Sequence, residues 1–228
     1  MRELKHPFSK SGMLLVAAAL CSELASAGDW SLKMSDPAED IQVYYRTTDG
    51  GHTEFKAITH VKSRLSAFVA LFRDVDSMPA WVYRTKKVET LRMVSDTEVY
   101  ARTVNDMPWP LADRDAVVRS MLLQDPKTLA VTIKGSAAPN YLPQSREHVR
   151  MPVVESHWSF TPLESGAIEV VFQGYGDPGG NLSSGVLRWF VDLALWEAPY
   201  QTLLGMRKMI FRDAYQSASY TFIREPEK

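Results

Sequence analysis

Four histidines lie in the body of the chain, His52, His60, His148 and His157, and they are the first side chains to test for metal or general-base chemistry. No pair has the four-residue spacing that puts two imidazoles on one helix face, and no His-Glu-x-x-His run occurs. His148 and His157 share one strand-like stretch but stand too far apart to hold a common ion unless the strand bends. In "NDMPWPLADRD" (105–115), Asp113 and Asp115 flank Arg114. Alternate strand residues point the same way, yet nothing near this pair supplies a nucleophile. The simpler reading is a charge cluster at a strand start, with Arg114 tying the turn to a neighbouring carboxylate. Ser183-Ser184-Gly185 lacks the Gly-x-Ser-x-Gly pattern of a nucleophile elbow and reads as a helix cap. The glycines of "GYGDPGG" (174–180) do not follow the order of a phosphate-cradling loop and read as a turn into a helix. The chain is therefore expected to hold no catalytic residues, no metal and no cofactor.

Chemistry being absent, the elements and their surfaces carry the reading. The 228 residues suit one domain, and 45% are apolar, enough for a sizeable core. Six Trp, nine Tyr and nine Phe exceed what a minimal core needs, and large aromatics also line ligand cavities. Residues 1–27 have the pattern of a secretory signal peptide: Arg2, Lys5 and Lys10, then an apolar run from Met13 to Leu20, then Ala25-Ser26-Ala27. The run is too short for a membrane-spanning helix, which needs about 20 apolar residues. Cys21 raises a lipid-anchored start, but Leu20 stands where such sites carry a small residue. Cleavage after Ala27 would leave residues 28–228 with a net charge of −2 and no cysteine, since the only one is Cys21. That excludes disulfides and thiol chemistry. A near-neutral surface argues against nucleic acid as the main partner. A periplasmic or secreted location follows from the signal pattern.

The hydrophobic period changes along the chain. Asp29 to Glu39 reads as a lead-in of one or two helical turns. Ile41–Thr47 and Thr53–Val61 read as a hairpin around Asp49-Gly50-Gly51. Leu65, Phe68, Val69 and Phe72 make one face of a helix over 63–75, with Ser63 as its N-cap. After Trp81 the period becomes two, and six strand-like runs follow to Asp177 with turns but no helices between them. That order predicts an antiparallel meander. From Ser183 to about Ser217 the pattern is a long amphipathic helix, with Val186, Trp189, Phe190 and Leu193 on its apolar face and a kink or break at Pro199. Pro108 and Pro110 are expected to stiffen a connection between strands, with Trp109 packing on the sheet end. A curved sheet wrapped around one long helix leaves a chamber if its inward side chains are small, and a solid core if they are large.

This order of elements, with "MPAWV", "PWPLADRDAVV", "APNYLPQSREHVRM" and "YGDPGGNLSSGVLRWFVDLAL" at their places in it, resembles the START family of lipid transfer domains over about residues 30–212. The resemblance implies an α+β helix-grip fold: a curved antiparallel sheet around a long C-terminal helix, enclosing an apolar cavity. It implies a carrier of a sterol, fatty acid, phospholipid or aromatic molecule that touches membranes transiently. A ligand-sensing or chaperone-like module and a cyclase or aromatase on the same fold are the alternatives. Tyr100, Arg102, Ser120 and Leu122 are then expected to line the cavity. Val186, Trp189, Phe190 and Leu193 would form the helix wall. Tyr141 and Leu142 would sit in a lid over 136–147. Trp81, Arg114, Asp115 and Asp177 would be structural. Family members that bind sterols or phospholipids often carry an arginine where this chain has Ser120. Arg119 would point away from the cavity, so such a cavity would suit a neutral ligand better than a zwitterionic head group.

Overall fold

The computed structural model describes residues 28–49, 51–183, 185–186, 189 and 193–227. The expected signal segment, residues 1–27, lies outside them. Ten strands form one sheet: β1 (Ser31–Asp36), β2 (Ile41–Thr47), β3 (Thr53–Val61), β4 (Thr85–Ser95), β5 (Glu98–Asn105), β6 (Arg114–Gln124), β7 (Val131–Ala137), β8 (Val149–Arg150), β9 (Val153–Pro162) and β10 (Ile168–Asp177). The spatial order is β1-β2-β3-β10-β9-β7-β6-β5-β4, and β8 lies parallel beside the first residues of β6. All other pairs are antiparallel, as expected where strands follow one another without crossover helices.

One connection departs from the meander. After β3 the chain forms α1 (Leu65–Arg73) and a 3₁₀ segment (Val75–Ala80), then enters β4 at the opposite edge of the sheet. Leu65, Phe68 and Val69 of the apolar stripe are fully buried. The helix caps differently from expectation. Ser63 does not cap α1; its hydroxyl accepts from Gln216. The carboxylate of Glu225 instead takes the backbone N–H groups of Leu65 and Ser66 at 3.0 and 2.8 Å. A helix leaves its first N–H groups without intrahelical partners, and here the far end of the chain supplies one anion for two of them.

The lead-in is also different. Residues 31–36 form an edge strand rather than helical turns, because pairing with β2 satisfies their backbone groups and Met34 packs on the core. Asp36 closes the turn by accepting from the N–H groups of Ala38 and Glu39.

The C-terminal helix is not uniform. Leu193–Glu197 is a π-helical turn, followed by α2 (Ala198–Met209), a break, and α3 (Asp213–Gln216). Pro199, the second residue of α2, has no N–H to give, and the turn before it is the widened one. Among the described residues no helix is long and apolar enough to cross a membrane. Several contacts fix α2 across the sheet. Tyr200 donates to Asp36 of β1 at 2.7 Å, and Arg207 donates to Thr59 of β3 at 2.8 Å. Gly205 lies on the backbone of Trp81, where an added Cβ would stand 2.4 Å from the Trp81 carbonyl oxygen. Only glycine permits that approach.

Candidate functional site

Residues directly opposite each other across a ladder share a sheet face, so register divides the sheet into a face toward the helices and an outer face. Two neighbouring rows on the inner face differ sharply in volume. One runs Leu122, Ile133, Trp158, Phe172 and Ala57 across β6, β7, β9, β10 and β3. Beyond it, Phe160 stacks on Phe68 of α1 at 4.6 Å, and Phe72 meets Trp81, Trp158 and Phe160 edge-on. Phe160, Phe68 and Val131 are fully buried. This end of the inner face is a packed aromatic core.

The next row runs Ser120, Gly135, Ser156 and Gly174 across β6, β7, β9 and β10, flanked by Val99 on β5 and by Phe55 on β3. Val118 and Ala137 follow on β6 and β7, with Ala101 and Thr103 beside them on β5. Ser120, Ser156, Val118, Ala101 and Thr103 all keep partial exposure although they sit on the side that faces the helices. The boundary between the halves is the stacked pair Trp158 and Phe172, with ring centroids 3.9 Å apart. Gly174 is required by the sheet itself: a Cβ there would stand 2.3 Å from the Glu155 carbonyl oxygen.

Ser120 and Leu122 lie on this inner face, and Leu193 of the helix is buried. Val186 is half-buried, and Trp189 is 37% exposed. Phe190 lies outside the described residues.

Tyr100 and Arg102 do not line the inner face. They pair with Arg119 and Val117, which puts them on the outer one. The physical reason is the period of two: Ser120 is even-numbered on β6, and the β5 residue opposite it, Val99, is odd-numbered. Arg119 also points outward, where its Nε donates to Glu98 at 2.7 Å.

Tyr100 and Arg102 belong to a polar cluster on that outer face. Asp115 is fully buried and accepts from Arg102 at 2.8 Å and from both Nε and Nη2 of Arg150 at 2.9 and 3.0 Å. Burial pushes the Asp115 carboxyl up, but the bonds from Arg150 and Arg102 outweigh it and hold the group below the ordinary carboxylate value. Arg150 also donates to the carbonyls of Pro139 and Leu142, and Tyr141 stacks on Tyr100 at 4.3 Å. The segment expected to be a lid, 136–147, is thus strapped to the outside of the sheet. Its Tyr141 ring is spent on Tyr100 rather than turned toward the inner face.

Arg114 was expected to bind a carboxylate. It is only 2% exposed, and its guanidinium donates to the carbonyls of Pro178 and Ala112. Burial lowers its pKa, opposed by the nearby Asp113. The Asp113 carboxylate is taken by Lys86 and by the Met107 N–H. Asp177 turns the chain toward the helix by accepting from Gly179 N–H at 2.8 Å, and Trp81 is buried in the aromatic core.

Trp109 does not pack on the sheet end. It is 92% exposed at the tip of the β5–β6 connection. Among the described residues no group of three or more His, Cys, Asp or Glu side chains could hold a metal ion. Sequence reasoning missed Arg150 and the small residues Gly135 and Ser156. Arg150 stood in the "HVRM" run, but nothing local said that its partner would be Asp115.

A sheet closed against a C-terminal helix, with one half of its inner face packed and the other lined by small side chains, defines the α+β helix-grip class. The model of the START domain matches residues 15–200, and the chain belongs to that family. A STAR-related lipid transfer protein from Xanthomonas axonopodis is 28% identical, with a TM-score of 0.70 over 80% of this chain and 99% of that one. An uncharacterized protein of Pseudomonas aeruginosa is 28% identical over 201 residues, covering 86% of this chain and 94% of its own. Human StAR-related lipid transfer protein 5 shares the fold at 13% identity, with a TM-score of 0.66 over 82% of this chain and 88% of its own.

Proposed function

We propose that this protein holds a lipid-like apolar molecule against the small-residue half of its inner face and carries it through an aqueous compartment. The observation that carries the reading is the partial exposure of Ser120, Ser156, Val118, Ala101 and Thr103 on a face turned toward the helices. A core built for stability alone would fill that space, because interiors pack at crystal-like density. Burying about 400 Å² of apolar ligand surface contributes about 10 kcal/mol at about 25 cal/mol per Å², before the cost of association. No covalent step is needed. The family membership and the lipid transfer protein of Xanthomonas axonopodis support the same reading. Native mass spectrometry of the purified protein, with organic extraction of what co-purifies, tests it. An unaltered apolar molecule at one per chain is the expected result. A ligand-free protein that also takes up none from vesicles would refute it, and a chemically altered molecule would point to a cyclase-like activity instead.

The membrane contact of this carrier is assigned to Trp109. Its ring stands free between Pro108 and Pro110, which fix the backbone on either side. Tryptophan is favoured at the membrane–water boundary, where its body is apolar and its N–H is wet. Trp109→Asp should slow transfer between vesicles at least severalfold while leaving the thermal midpoint unchanged, since the side chain makes almost no folded-state contact. Unchanged transfer would remove Trp109 from the mechanism. Secretion is part of the proposal: residues 1–27 are removed in the cell and the carrier works in the periplasm. The intact mass of the protein from its native compartment, beginning at Gly28, is the expected result.

A further inference from the structure

The small-residue half of the inner face contains a built polar feature. A Cβ on Gly135 would stand 2.6 Å from the Ser156 hydroxyl, 3.0 Å from a Val118 methyl and 3.6 Å from the Ser120 hydroxyl. Both hydroxyls therefore converge on the space that glycine leaves open. Neither has a hydrogen-bond partner among the described residues, and neither is sealed from solvent. Other hydroxyls on the sheet do find partners: Ser136 donates to Glu155 at 2.7 Å, and Ser159 meets Thr161 at 3.4 Å. The aromatic pair Trp158 and Phe172 lies one row away and forms the apolar wall beside the two serines.

We propose that Ser120, Gly135 and Ser156 form a recognition notch for a single uncharged oxygen, a hydroxyl or a carbonyl, on an otherwise apolar ligand. This rests on the carrier reading and narrows its ligand class. A serine hydroxyl both donates and accepts, so two of them meet either kind of oxygen. A charged head does not fit, because burying it there would need a countercharge. The flanking charged residues Arg119, Lys134 and Glu155 lie on the outer face by register. The inner-face cation on β6, Arg114, is six residues along that strand, about 20 Å away, and is engaged with backbone carbonyls. Glycine at 135 is what lets the ligand oxygen approach both serines.

The test uses two probes that differ only at one end, 1-decylpyrene and 10-(1-pyrenyl)decanol, with binding read by pyrene fluorescence. Wild type and the S120A/S156A double variant are compared. The double variant should bind the alcohol about five- to tenfold more weakly and the hydrocarbon within twofold of wild type. Retained hydrocarbon binding also shows that the variant is folded. Equal losses for both probes, or no loss for either, would overturn the notch while leaving the carrier reading intact. Failure of wild type to bind either probe would overturn both.

Discussion

The two halves of the inner face share strands, register and backbone, yet one is a packed core and the other is lined by small, half-exposed side chains. Along β7 the change occurs between Ile133 and Gly135, and along β9 between Trp158 and Ser156. On these central strands a step of two residues, about 7 Å, separates a packed aromatic layer from glycine and serine. The fold therefore needs only part of its sheet for stability. On the carrier reading the rest is free to be shaped by a ligand, and side-chain volume decides which part is which.

The largest expected effect lies in the packed half. Phe160→Ala removes a fully buried ring that stacks on Phe68 and should cost about 3–5 kcal/mol in chemical denaturation. Ser156→Ala, two rows away on the same strand, should change stability by less than about 0.5 kcal/mol. Similar losses at the two positions would mean that the halves are one core, and the comparison would fail.

A different kind of break tests the outer face beneath the strapped segment. Asp115→Asn leaves Arg150, itself buried, without its charged partner. Removing one member of a buried pair costs about 3 kcal/mol or more. The pH dependence has a definite sign. The folded-state pKa of Asp115 is lowered, so its contribution is complete above the ordinary carboxylate value of about 4 and is lost as pH falls through the lower folded value. The stability gap between wild type and Asp115→Asn should therefore narrow in acid. A gap that stayed constant down to the acid transition would show that the charge is irrelevant and only the shape matters.

Filling the small-residue half should sharpen the contrast. Ser120→Leu adds apolar volume to a half-buried inner-face position. In a packed interior such an insertion costs about 1–3 kcal/mol. In an open one it should leave stability within about 1 kcal/mol and abolish uptake of decylpyrene. A strongly destabilised variant would mean that the space beside Ser120 is already full.

How far the sequence revealed this can be read at single residues. The strands after Trp81 were legible because turn residues punctuate runs of period two, and the stripe of Leu65, Phe68 and Val69 was legible because its spacing is helical. The edge strand at 31–36 was not, because its pairing with β2 is a tertiary fact that six residues do not encode. The faces of Tyr100 and Arg102 are not legible without the β5–β6 ladder, because a shift of one residue reverses the face. Trp109 reads as a packing residue because large aromatics usually pack. Its 92% exposure depends on where a proline-braced turn ends in space. The run of small inner-face residues is the least legible feature. Ser120, Gly135, Ser156 and Gly174 come from four separate strands, and only the register sets them in one row.

The smallest effect concerns the chain's last residues. Glu225 caps α1 with two bonds at 3.0 and 2.8 Å, and Arg64 lies 3.7 Å from the same carboxylate. Arg64 in turn donates to the carbonyls of Gln216 and Ala218, so the tail and the helix start hold each other. Losing a cap costs about 1 kcal/mol, and the site is on the packed side, remote in register from Ser120 and Ser156. Glu225→Ala should therefore lower the denaturation free energy by about 1 kcal/mol and leave pyrene-probe binding unchanged. Weaker binding would show that the tail communicates with the small-residue half, and the two halves would no longer be independent.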